Sequence, residues 1–236
     1  MLIVVCPLLM HPSELIRAQI MPIIQWVVVF LLLATTHSAF ASNESTFHRL
    51  YEAGLRADSA KNYSEAKELY ENALNTARIN KLPEEFISNS MLNLGRMQGY
   101  LCDYPAAEKT LKEALGLEES RPNSGRASDS AVRRRSTVMK ISSALAVLTY
   151  DQENYPASVS YFEKAISLAE ELGILRADPL QLSDVLDDFA LALEKAGHID
   201  KAVSTRTRAA SIREPFSNKK PRFRMVRFRE VCQFNR

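Results

Sequence analysis

Histidine, cysteine and clustered carboxylates are the side chains through which a chain of 236 residues would cut a bond or hold a metal, and here they are few and scattered. The histidines are His11, His37, His48 and His198, and the cysteines are Cys6, Cys102 and Cys232. His48 and Glu52 are spaced i, i+4, so one helix face would show both to a cation, but no further ligands follow at metal-binding spacing. Cys102 and Cys232 have no C-x-x-C or metal-site partner; an oxidising compartment permits a disulfide, and each reads as a buried or idle thiol. Asp184, Asp187 and Asp188 would sit near a helix start, where carboxylates complement the dipole and face solvent, rather than in a cation site. No H-E-x-x-H, P-loop or G-x-G-x-x-G is present. The chain therefore offers no catalytic residue, metal or cofactor and is read as a non-enzyme. A hydrolase whose site is gathered from distant segments stays as an alternative, because triads are not local.

The elements that would position any site are helices, and they repeat. Apolar residues make up 46% and charged residues 25%, with 7 Gly and 10 Pro, which disfavours disorder and turn-dense β architectures alike. Segments 61–74, 102–115, 153–166 and, more weakly, 197–210 align. One column holds Tyr63, Tyr104, Tyr155 and Ile199; the next holds Ala66, Ala107, Ser158 and Ala202. Then come Tyr70, Leu111, Phe162 and Arg206, and after them Ala73, Ala114, Ala165 and Ala209. Twelve residues before the first small column lies another, Gly54, Gly95, Ala146 and Ala190. Paired small columns let two antiparallel helices approach closely while the larger residues fill between them. Leu50, Leu94, Leu145 and Phe189 complete an inward stripe on each first helix. One such hairpin cannot bury its own apolar face, so copies must stack. Pro83, Pro105, Pro156 and Pro179 fall where helices should begin, and Pro215 where the last should stop. The spacing predicts helices over 44–60, 63–80, 84–101, 105–119, 130–151, 155–172, 179–196 and 199–213.

This column set resembles the tetratricopeptide repeat (TPR) family, carried best by Gly54, Tyr63, Ala66, Tyr70 and Ala73 and by Leu94, Gly95, Tyr104, Ala107, Leu111 and Ala114. It departs from the family where an aromatic of the first helix becomes Ala57, Gln98, Thr149 and Leu193. Repeat offsets of 41, 51 and 44 residues also exceed the family's 34, as in the longer repeats of kinesin light chains. The resemblance implies an all-α fold, a right-handed α-solenoid of about four TPR-like hairpins at 44–80, 84–119, 130–172 and 179–213, with a loop at 120–130. It also implies a protein or peptide partner held in a concave groove lined by first helices. Mapped by column, that lining is His48, Tyr51, Leu55, Asn89, Asn93, Arg96, Tyr100, Lys140, Tyr150, Asp184, Asp187 and Leu191. In the family the amide at Asn93 is often spent on a partner's backbone; here it would do that or bond its own neighbouring helix. Tyr100 and Tyr150 would be groove anchors or inter-repeat packing.

The formal net charge of +2 conceals opposed segments. Residues 216–236 carry +6, residues 121–140 carry +5, and the rest of the helical region carries −9. The tail 215–236 reads as disordered. Its Lys219, Lys220, Arg222, Arg224, Arg227 and Arg229, interleaved with Phe223, Phe228 and Phe234, form a candidate contact for an anionic surface, lipid or nucleic acid. At the other end, the apolar run Ile23 to Ala34 precedes Ala39-Phe40-Ala41, an A-x-A signature that places a signal-peptide cut after Ala41. The expectation is an exported protein, periplasmic or secreted, with retention as an N-terminal membrane anchor as the alternative. A run of twelve residues falls short of the roughly 20 that span a bilayer.

Overall fold

The computed structural model describes residues 42–121, 129–216 and 227–234. The signal-peptide reading of 1–41, the centre of the 120–130 loop, and Lys219, Lys220, Arg222 and Arg224 lie outside them. The repeats belong to one compact unit, Thr46–Arg236.

Among the described residues the chain is helical throughout. Helix α1 spans 42–59. It is followed by α2 (Tyr63–Ile79), α3 (Glu84–Tyr100), α4 (Tyr104–Ser120), α5 (Asp129–Asp151), α6 (Tyr155–Glu171), α8 (Pro179–Lys195) and α9 (Ile199–Arg213). A four-residue turn of helix, α7 (Ile174–Ala177), precedes α8, and α10 (Phe228–Phe234) ends the described chain. The pairs α1/α2, α3/α4, α5/α6 and α8/α9 are four antiparallel hairpins, and each stacks on the next in an all-α, TPR-like solenoid.

The small columns work as contact points between the helices of a pair. A Cβ added to Gly54 would come within 2.8 Å of the Tyr70 ring, and one on Gly95 within 2.6 Å of Leu111. In the third hairpin Ser158 stands opposite Ala146 and donates its hydroxyl to that residue's carbonyl at 2.8 Å. Ala66, Ala107, Ala73 and Ala114 have no exposed surface, and neither do Tyr70 and Leu111. Burying side chains of that size contributes about 1.5–3 kcal/mol each, which is where the hairpins get their stability. Arg206, the departure in the fourth copy, is exposed and pairs with Glu194 instead of packing.

Every hairpin turns in the same way. Lys61, Cys102, Glu153 and Gly197 occupy one column at positive φ, between 62° and 85°. The amides of Asn62, Asp103, Asn154 and His198 then reach back to the carbonyls of Ala57, Gln98, Thr149 and Leu193 at 2.8–2.9 Å, a Schellman closure. Helices α4, α6 and α8 begin on a side-chain cap: Asp103 accepts from the Ala106 amide, Asn154 from Ala157 and Asp178 from Gln181. Along the outer row, Arg78–Glu113, Glu119–Lys164 and Glu170–Arg208 join successive second helices. These exposed pairs set register more than stability.

The last element departs from the sequence reading. Over Phe228–Phe234 the tail is a helix lying on α3 and α5, not a disordered strand of charge. A disulfide joins Cys102 to Cys232 with Cα atoms 5.4 Å apart, so neither is an idle thiol. The partners stand 130 residues apart, a pairing that no local spacing announces.

Candidate functional site

The first helices stand side by side, and their inner faces line a groove of about 480 Å³. Such a volume suits a side-chain cluster or a short peptide stretch rather than a single small ion. Seven expected residues line it: Tyr51 and Leu55 from α1, Asn89, Asn93 and Arg96 from α3, Lys140 from α5 and Asp184 from α8. The structure adds Leu92, Met139, Ser143, Ala144 and Val185, together with Ala165 and Ala169 of α6 and Ile174 of α7. Met139, Lys140, Ser143 and Ala144 share one face of α5 at helical spacing. The small pair Ser143-Ala144, which leaves the floor open, is the signal that column matching alone passes over.

A chain of polar contacts crosses the wall between the first two hairpins. Asn93 is only 5% exposed. Its amide nitrogen donates to the Tyr51 hydroxyl at 2.7 Å, and its oxygen accepts from Arg96 at 3.3 Å. Asn93 thus bonds its neighbouring helix, as one of the two sequence readings has it. Arg96 also reaches Asp58 at 3.4 Å and Tyr100 at 3.5 Å, with its guanidinium 5.8 Å from the Tyr100 ring centre. Burial pushes the Tyr51 hydroxyl above its ordinary pKa, with the Asn93 bond opposing, so it stays a neutral acceptor for that amide.

Other groups on the lining keep capacity for a ligand. Asn89, on the lining, accepts from Thr137 at 3.4 Å through its oxygen. Lys140 is exposed and makes no ion pair among the described residues. Asp184 gives one oxygen to Arg213 at 3.0 Å, while its other oxygen is buried without a hydrogen bond. Leu55 is apolar and 41% exposed. No histidine or cysteine is on the lining.

Five expected residues lie off the groove. His48 is exposed and sits 5.2 Å from the Phe86 ring, and Leu191 is exposed away from the lining. Asp187 pairs with Arg213 at 2.6 Å. The acidic cluster is thus not a dipole complement: Asp184 and the partly exposed Asp187 hold Arg213, and Asp188 holds Arg227 at 3.1 Å. Helix α8 begins at Pro179, which places these carboxylates beyond its first turn and out of reach of the dipole. Tyr100 and Tyr150 receive the tail: Phe228 lies 5.0 Å from the Tyr100 ring, and the Arg227 guanidinium 3.9 Å from that of Tyr150. Arg227 is turned inward onto Asp151 and Asp188, whereas Arg229 stays exposed and pairs with Glu153 at the surface. Among the described residues no three or more His, Cys, Asp or Glu gather as a metal site, and no helix is long and apolar enough to cross a membrane.

Residues 139–172, the third hairpin, match the tetratricopeptide repeat family. No curated protein sequence matches the chain. Among solved structures, BtubC (BKLC) from P. vanneervenii superposes with a TM-score of 0.60 at 21% identity, over 86% of this chain and 84% of that one. Aspartyl phosphate phosphatase F from Bacillus subtilis superposes with a TM-score of 0.57 at 15% identity, over 80% of this chain. The chain spans only 45% of that phosphatase. At such identities the likeness is one of fold, and the fold is that of a TPR-like repeat protein.

Proposed function

We propose, from the premise of a TPR-like repeat scaffold, that this protein is an adaptor that holds a protein or peptide partner in its concave groove and performs no catalytic step. The observation that carries this reading is the groove lining itself. It combines an exposed apolar side chain, Leu55, with polar groups at Asn89, Lys140 and Asp184 on the three first helices that follow. An extended segment laid across those helices would bury its apolar side chains against Leu55, Leu92 and Val185. It would meet a donor, a cation and an acceptor in turn.

Parallel affinity capture from native extract with the wild type and with Leu55→Glu/Lys140→Glu tests this. Both positions are exposed, so the double variant should fold normally. Partners kept by the wild type and lost by the variant are the expected result. Partners retained equally by both would put the contact elsewhere and overturn the groove assignment.

Export is part of the same proposal. It is supported by the Cys102–Cys232 disulfide, which belongs to an oxidising compartment, and by the signal-like segment ending at Ala41. Fractionation with N-terminal sequencing should find the chain outside the cytoplasm and beginning at Ser42. A full-length cytosolic product would contradict it.

A further inference from the structure

Three consecutive residues of the tail each enter a dedicated seat at the C-terminal ends of the first helices, one turn beyond Arg96. The guanidinium of Arg227 stacks on Tyr150 at 3.9 Å, reaches Asp188 at 3.1 Å and faces Asp151 at 4.0 Å. Phe228 is buried against Tyr100 in the gap left by Gly99, where an added Cβ would come within 2.6 Å of its ring. The backbone N–H of Arg229 donates to Asp151 at 3.0 Å, and its side chain binds the Asp151 carbonyl and Glu153. A helix of seven residues does not hold itself together in water, so Phe228–Phe234 is folded by what it docks on, as a bound peptide is. The seat reads one pattern: a planar cation between an aromatic face and carboxylates, an aromatic ring in a glycine-floored slot, and a second cation at an acidic turn.

We propose that this seat is a second binding site of the solenoid, selective for an arginine–aromatic–arginine segment. The chain's own residues 227–229 fill it while Cys102 and Cys232 are joined, and a partner's segment fills it once they are parted. Parting them takes two electrons and two protons from a dithiol, which becomes a disulfide and leaves two cysteine thiols. With the bond closed, the tether keeps the chain's own segment at a local concentration that no free partner matches. The site shares α3, α5 and α8 with the groove but none of the groove's lining residues, so it stands or falls independently of the groove reading.

The test uses the full chain carrying Arg227→Ala, Phe228→Ala, Arg229→Ala and Cys232→Ser, which removes the chain's own occupant from the seat. It is titrated by fluorescence polarisation with a labelled peptide copying residues 226–233, with serine at the position of Cys232. The vacated chain should bind at least tenfold more tightly than oxidised wild type. Adding Asp188→Asn, or replacing the first peptide arginine with lysine, should weaken binding at least tenfold. No binding to the vacated chain, or equal binding by oxidised wild type, overturns the proposal. Should the variant fail to fold, wild type held in dithiothreitol supplies the answer: excess peptide should speed alkylation of Cys232 several-fold by displacing the tail. An unchanged rate overturns the proposal as well.

Discussion

Gly95 and Gly116 both sit inside helices, where alanine is favoured by about 1 kcal/mol, yet the structure assigns them opposite outcomes. A methyl at Gly95 would press to 2.6 Å from Leu111 and 3.4 Å from the Ala107 carbonyl, whereas one at Gly116 meets nothing within 4 Å. Overpacking of that kind costs about 1–3 kcal/mol, which outweighs the propensity gain. Gly95→Ala should therefore lower stability by up to about 2 kcal/mol. Gly116→Ala should raise it by about 0.5–1 kcal/mol. Urea unfolding followed by circular dichroism checks both, and equal effects would mean the hairpin register is wrong. Asp151 carries a pH prediction. Burial raises its carboxyl above the ordinary 3.8, with the Arg229 amide and the Arg227 guanidinium opposing. The folded state thus holds the proton more tightly than the unfolded chain. This group's contribution to stability is full below 3.8 and is lost as pH climbs through the raised value. Asp151→Asn, which keeps the acceptor for Arg229 but cannot ionise, should gain on the wild type between pH 3 and pH 7. A constant difference, or one moving the other way, would contradict that assignment.

At the scale of elements, the hairpins were legible because their signal is local and repeated. Gly54, Gly95 and Ala146 announce close approach, and Pro105, Pro156 and Pro179 announce helix starts within a residue or two of where they occur. The turns were less legible: of the four residues at positive φ inside the hairpin turns only Gly197 is a glycine, so Lys61, Cys102 and Glu153 gave no backbone signal. Helix α10 was invisible to sequence reading. Its stability comes from Cys102, Asp151 and Asp188, which lie 39–130 residues away, and a run of arginines with phenylalanines looks the same whether it faces solvent or carboxylates. The disulfide closes a loop long enough to contribute about 2–4 kcal/mol. Cys232→Ser should therefore lower the unfolding free energy by roughly that amount. It should also speed hydrogen exchange over 228–232 far more than in α3. Exchange accelerated equally in both would show that α10 does not open as a unit.

For the molecule as a whole, the groove was half legible. Column matching found Tyr51, Leu55, Asn89, Asn93, Arg96, Lys140 and Asp184, because TPR-like first helices repeat their orientation from copy to copy. It missed the floor at Ser143 and Ala144, which depends on how α5 packs against α3 and α6. It also placed Tyr100 and Tyr150 in the groove because it could not see the tail that covers them. The near-neutral charge has a structural basis: an acidic solenoid takes the arginines of its own C-terminal segment onto Asp151, Glu153 and Asp188. The central claim, that the groove binds an extended peptide, is tested most directly by selecting peptides from a random displayed library on the oxidised wild type. The selected sequences are then titrated against Leu55→Glu/Lys140→Glu. Selection of a shared motif, with affinity falling at least tenfold in the double variant, is the predicted result; peptides that bind both proteins equally would contradict it.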